Sequence, residues 1–135
     1  MASSAHTFPY QKKRIDFGLI FNPLIHLPVK TQSGWQDLWF LVDSGADTTM
    51  IPLNLAKRLG IKFQKTSTRL FGIGAQSLAA FPGQMLCKIG ETELEVRCYC
   101  VNTEDSVLLL GRLDIFDKFS VLFDNQKQSV IFIAS

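Results

Sequence analysis

Leu41-Val42-Asp43-Ser44-Gly45-Ala46-Asp47-Thr48 closes an apolar run that begins at Trp35. Residues 35–42 are a short, aromatic-rich apolar run, which predicts a buried strand. Asp43-Ser44-Gly45 then falls at the strand's end. A carboxylate placed there, with a hydroxyl and a glycine beside it, can be held still while the neighbouring backbone approaches a ligand closely. Alone, such a triplet is more often an ordinary turn. Its meaning depends on what stands on either side.

Downstream, Pro52 occupies a first helical position and Gly60 a stop, so residues 52–59 are expected to form one short helix. Arg69-Leu70-Phe71-Gly72-Ile73-Gly74-Ala75-Gln76 sets two glycines between apolar flanks, the pattern of a hairpin tip. Strands are expected over residues 84–89 and 93–101, around Gly90-Glu91-Thr92, and over residues 107–110, which end at Gly111. Residues 119–123 and 129–133 make a last hairpin, and the apolar terminal strand is expected to join an inter-subunit sheet. Upstream, residues 15–29 are broken by Gly18, Pro23 and Pro28 and read as one or two strands with a bend. The order apolar strand, glycine, short helix occurs around Gly45 and again around Gly111.

The 135 residues suit one domain, 15–135, preceded by a flexible tail, 1–14. With 47% apolar and 19% charged residues the chain is globular, and a formal charge of +2 argues for neither nucleic acid nor a membrane as partner. No apolar run of secretory or membrane-spanning length follows the start, so a soluble, cytoplasmic protein is expected. Three cysteines, Cys87, Cys98 and Cys100, cannot all pair within one chain. Cys98 and Cys100 are read as facing opposite sides of a strand, and no metal or other cofactor is expected. Neither His6 nor His26 has the serine or cysteine company of a nucleophilic triad.

Three stretches, in order, carry a resemblance. Residues 41–48 resemble the active-site signature of the retroviral-type (retropepsin-like) aspartic proteases, Phe71-Gly72-Ile73-Gly74 the flap, and Leu108-Leu109-Leu110-Gly111-Arg112 the second signature. The chain departs from the pattern in a longer insert between the last two and in Leu113-Asp114 after Arg112. The resemblance implies an all-β fold, mainly β with one or two short helices: a closed barrel with a flap hairpin that supplies half of a symmetric dimeric active site. Peptide hydrolysis without metal or covalent intermediate needs both an acid and a base, and two carboxyls sharing one proton supply them. Only one such triplet is present, so the second Asp43 would come from another copy across a two-fold axis.

By the same resemblance Ser44 would bond across that axis, with Gly45, Thr48 and Arg112 supporting the active-site loop. Arg112 would meet Asp47 in a partly buried ion pair. The backbone of Gly45 and Asp47 would hold an extended peptide, and Ala46, Val107 and Leu109 would line its side-chain pockets. Phe71, Gly72, Ile73 and Gly74 would close over it. The expected activity is that of an aspartic endopeptidase with an acidic optimum, acting as a homodimer on a peptide or protein substrate. A non-catalytic dimerisation or peptide-binding module of the same fold is the alternative.

Overall fold

The computed structural model describes residues 4–71 and 77–135. In chain order the elements are β1 (Ala5–Pro9), β2 (Gln11–Ile15), β3 (Gly18–Asn22), β4 (Leu24–Thr31), β5 (Gly34–Val42), β6 (Thr49–Pro52), α1 (Leu53–Leu59), β7 (Lys62–Phe63), β8 (Thr68–Phe71), β9 (Ser77–Ile89), β10 (Thr92–Val101), β11 (Leu108–Leu110), β12 (Phe119–Asp124) and β13 (Ser129–Ala134). The mainly β class with one short helix is as expected. Pairing in the eight-stranded sheet runs β10-β6-β11-β5-β4-β9-β7, with β8 on β9 and a further pairing of β9 with β10. The closed barrel expected from the sequence is thus a sheet in which β9 meets β10 along its length but β4 only at Val29 and Cys87.

Alternation explains which faces are inside. In β4, Ile25, Leu27 and Val29 are buried, while His26 and Lys30 are exposed; across from it Leu38, Phe40 and Val42 of β5 point the same way. Residues 94, 96, 98 and 100 of β10 form the next buried row. The opposite-face reading of Cys98 and Cys100 is therefore wrong: side chains alternate with period two, so positions two apart share a face. Helix α1 follows Pro52 and stops at Gly60, whose φ of +75° lets its N–H reach back to the Ala56 and Lys57 carbonyls.

Four further expectations change. Strand β9 starts at Ser77 rather than residue 84, running through Pro82 and Gly83. The Pro82 carbonyl accepts a hydrogen bond from Gln64, and a Cβ at Gly83 would lie 2.8 Å from the Lys62 carbonyl oxygen, so glycine lets β7 approach. The helix expected after Gly111 is a pair of turns over residues 112–118, because Asp114 takes a φ of +68° that interrupts a helical ladder. Within the tail expected over residues 1–14, residues 5–9 form β1 and residues 11–14 belong to β2. Finally, β13 is the middle strand of a three-stranded sheet, β1-β13-β12, so both of its edges are filled by its own chain instead of a second subunit. Phe132 makes that arrangement stable, packing edge-on between Phe8 at 5.6 Å and Phe119 at 6.0 Å.

No helix among the described residues is long and apolar enough to cross a membrane. Because Phe132 is fully buried whereas Leu122 on the neighbouring strand is 46% exposed, the two should differ widely in the cost of truncation. Phe132→Ala is expected to cost about 3–5 kcal/mol in urea unfolding, and Leu122→Ala no more than about 0.5 kcal/mol.

Candidate active site

The site begins where β5 ends. The N–H of Asp43 donates to the Leu110 carbonyl at 3.0 Å, joining the end of β5 to the end of β11, which runs parallel to it. The chain then turns: Gly45 N–H donates to Asp43 Oδ1 at 2.9 Å and Ala46 N–H to the Asp43 carbonyl at 3.2 Å. One carboxylate oxygen is thereby held by the backbone, while the half-buried side chain stays open to solvent. A Cβ at Gly45 would lie 3.3 Å from that oxygen, so glycine there leaves the carboxylate uncrowded. Ser44 is exposed beside it.

The loop is tied down by the segment after β11. Arg112 N–H donates to the Ala46 carbonyl at 3.0 Å, and Leu113 N–H to the Asp47 carbonyl at 2.9 Å. The Arg112 guanidinium also bonds Asp47 Oδ1. This ion pair forms as expected but is not partly buried, the two side chains being 53% and 85% exposed. Exposed pairs typically contribute about 0–1 kcal/mol, so the backbone bonds carry most of the restraint.

Beneath the loop lies a contact that sequence reasoning missed. Gly111 N–H donates to the buried Thr49 Oγ1 at 3.1 Å. A Cβ at Gly111 would lie 2.3 Å from the Thr48 carbonyl carbon, so no other residue fits without moving the loop. The supporting hydroxyl is thus that of Thr49, while Thr48 contributes its backbone. Also missed was Asp114, whose carboxylate accepts from Arg97 at three points: the backbone N–H at 2.8 Å, Nε at 3.0 Å and Nη2 at 2.9 Å. Its visible signal was the departure Leu113-Asp114 from the family pattern. The bond from the Arg97 side chain holds the Asp114 carboxyl below its ordinary range despite opposing burial.

The remaining expected residues spread outward. Leu109 is half-buried between Leu41 and Met50, and Val107 is 47% exposed, with its N–H on Asp105 Oδ1. Strand β8 pairs with the start of β9, Phe71 opposite Ser77; Gly72, Ile73 and Gly74 lie outside the described residues. A cavity of about 500 Å³ borders the loop at Thr48 and Leu113 and is walled by Phe63, Pro82, Arg97 and Tyr99. Among the described residues no group of three or more His, Cys, Asp or Glu could hold a metal. Cys87 is pushed up to about 12 by burial, and the hydrogen bond to Cys100 together with burial raises Cys98, so neither thiol is a ready nucleophile.

A sequence model described as aspartyl protease matches residues 27–112. Among curated proteins there is no significant match. Solved structures that the chain resembles include a retropepsin-like aspartic protease from Rickettsia conorii (TM-score 0.57, 19% identity, 99% of this chain and 96% of that one). The EIAV protease complexed with the inhibitor HBY-793 aligns over 67% of this chain and 82% of its own (TM-score 0.55, 22% identity). The retroviral protease-like domain of Ddi1 from Leishmania major aligns over 82% and 92% (TM-score 0.52, 16% identity). At these identities the likeness is one of fold.

Two outcomes are expected from the supporting contacts. Thr49→Val leaves the buried Gly111 N–H without its acceptor and should cost about 1–3 kcal/mol in chemical denaturation, while Thr49→Ser retains more stability by keeping the hydroxyl. For Asp114, a folded-state pKa held below the ordinary 3.8 stabilises the fold above that pH. The contribution is lost as pH falls through the lower, folded value. Asp114→Asn should therefore melt below wild type at pH 7, with the gap narrowing once the pH drops under 3.8.

Proposed function

The chain belongs to the aspartyl protease family, and from that premise we propose that it is an aspartic endopeptidase whose active site is completed by a second copy of itself. The observation that carries the reading is the held carboxylate: Asp43 at a strand end, one oxygen on Gly45 N–H, the side chain otherwise open. Hydrolysis of an amide by water needs a base to take the water proton and an acid to protonate the carbonyl oxygen. A single Asp43 in one protonation state cannot do both. Two of them facing across a two-fold axis, with one proton between them, can.

In that arrangement one carboxylate accepts a proton from the attacking water, and the other carboxyl donates its proton to the carbonyl oxygen, giving the tetrahedral intermediate. The carboxyl that took the water proton then gives it to the leaving nitrogen while the other carboxylate takes a proton from a hydroxyl of the intermediate; the C–N bond breaks, amine and acid depart, and one proton is again shared by the pair. Gly45 and Asp47 supply backbone groups for an extended peptide, Ser44 bonds between the paired loops, and Ala46, Val107 and Leu109 offer apolar contact to substrate side chains. Arg112 and Thr48 support the loop, and Phe71, Gly72, Ile73 and Gly74 are assigned to substrate binding. Such a cleft prefers apolar residues near the scissile bond.

Asp43→Asn tests the reading, because an amide neither shares the proton nor deprotonates water. With an internally quenched peptide library assayed across acidic to neutral pH, wild type should cleave with an acidic optimum, since losing the shared proton removes the acid. Asp43→Asn should cleave at least about 10³-fold more slowly with an unchanged thermal midpoint. Equal cleavage by both proteins would refute the assignment. Binding of library peptides by both, with cleavage by neither, would instead identify a peptide-binding module on the same fold.

A further inference from the structure

Between β1 and β4 the chain makes a hairpin, β2–β3, that forms a two-stranded sheet of its own. Its register sets Lys12 opposite Phe21, Lys13 opposite Ile20 and Arg14 opposite Leu19. The apolar side chains are left in water: Phe17 in the turn is 98% exposed, Leu19 56%, Ile20 41% and Phe21 39%. A hairpin of two strands is marginally stable in water unless it packs against something. Contiguous exposed apolar residues rimmed by charge are the usual mark of a protein contact.

The hairpin's root is close to the carboxylate. Pro23, the residue following β3, accepts a hydrogen bond from Val42 N–H at 2.9 Å, and Val42 directly precedes Asp43. On the other side Tyr10 N–H donates to the Gln128 carbonyl at 2.8 Å. The hairpin thus leaves the body between the Asp43 end of β5 and the β12–β13 turn. If two Asp43 residues meet at a two-fold axis, whatever is rooted beside one of them is apposed to the other copy. The strand edge that the sequence offered for joining two copies, that of β13, is already filled on both sides.

We propose that the β2–β3 hairpin is an arm that grips a second copy of this chain, burying Phe17, Leu19, Ile20 and Phe21 beside the paired Asp43 carboxyls. The inference rests on the homodimeric reading above. Two-fold symmetry makes the contact reciprocal, each copy's arm packing on the other, so every apolar anchor counts twice. Large apolar side chains at the centre of a contact carry most of its affinity. Lys12 and Arg14 share the face of Phe21 and Leu19, and Lys13 that of Ile20, so each apolar side chain has a basic cross-strand neighbour that keeps the free arm soluble.

Sedimentation equilibrium of the full chain across a range of concentrations tests this, with Phe17→Ser/Leu19→Ser, Phe17→Asp and, as a surface control, Leu122→Ser. These positions are exposed, so circular dichroism should be unchanged in all three. Wild type and Leu122→Ser should form a reversible dimer, and both arm variants should raise its Kd by about tenfold or more. A wild-type dimer that the arm variants match in affinity would overturn the arm and leave the homodimeric reading standing. A wild type that stays monomeric at every concentration would overturn both. Hairpin-dependent pelleting with phosphatidylserine vesicles, with no change in self-association, would assign the arm to a membrane surface instead and overturn it as a dimer contact.

Discussion

Strand β11 lies between β5 and β6, parallel to the first and antiparallel to the second, and Gly111 at its end passes against the backbone of Thr48. A Cβ there would overlap the Thr48 carbonyl carbon, so the absence of a side chain is what lets the two halves of the site meet. From this contact the rest follows. The Gly111 N–H is buried and finds the Thr49 hydroxyl, which anchors β6. Arg112 and Leu113, the next residues, come within reach of the Ala46 and Asp47 carbonyls and hold the loop that carries Asp43. Two neutral backbone hydrogen bonds do this work more reliably than the exposed Arg112–Asp47 pair, which water and salt weaken.

Arg97 and Asp114 show the same economy from the other side. Asp114 adopts a left-handed backbone conformation that ends any helix after Gly111. In return its carboxylate collects three bonds from a single residue of β10, one of them from the main chain. With only 13% of the Asp114 side chain exposed, these bonds are shielded better than those of Asp47. They connect the segment that pins the active-site loop to the strand that walls the adjoining cavity. The loop is therefore braced from β6 below and from β10 beside it.

A half-site of this kind is the ground on which a second copy is proposed. One carboxylate, however well held, lacks the proton donor that the reaction requires. Family membership makes the pairing of two such carboxylates the natural solution, while the closed three-stranded sheet of β1, β13 and β12 removes the most obvious place to join the copies. The exposed hairpin rooted next to Asp43 supplies apolar surface where the sheet does not. Within its own chain that hairpin is a two-stranded sheet by itself, an arrangement that is marginal in water without a packing partner.

By itself the sequence determined the apolar strand ending at Asp43, the glycine-terminated helix α1 and the strand ending at Gly111. These are local matters: periodicity, turn residues and the three ordered motifs suffice to read them. What only the tertiary structure decided were pairings between distant segments. That β1 covers the edge of β13 depends on Phe8 meeting Phe132 from the far end of the chain. That Thr49 rather than Thr48 bears the supporting hydroxyl depends on where β11 enters the sheet. That Asp114 turns left-handed depends on Arg97 being there to receive it. Strand β9 hid behind Pro82 and Gly83, residues that argue against a strand locally and become tolerable only because β7 and residue 64 approach them. Such contacts are settled by packing across long sequence separations, and no local pattern encodes them.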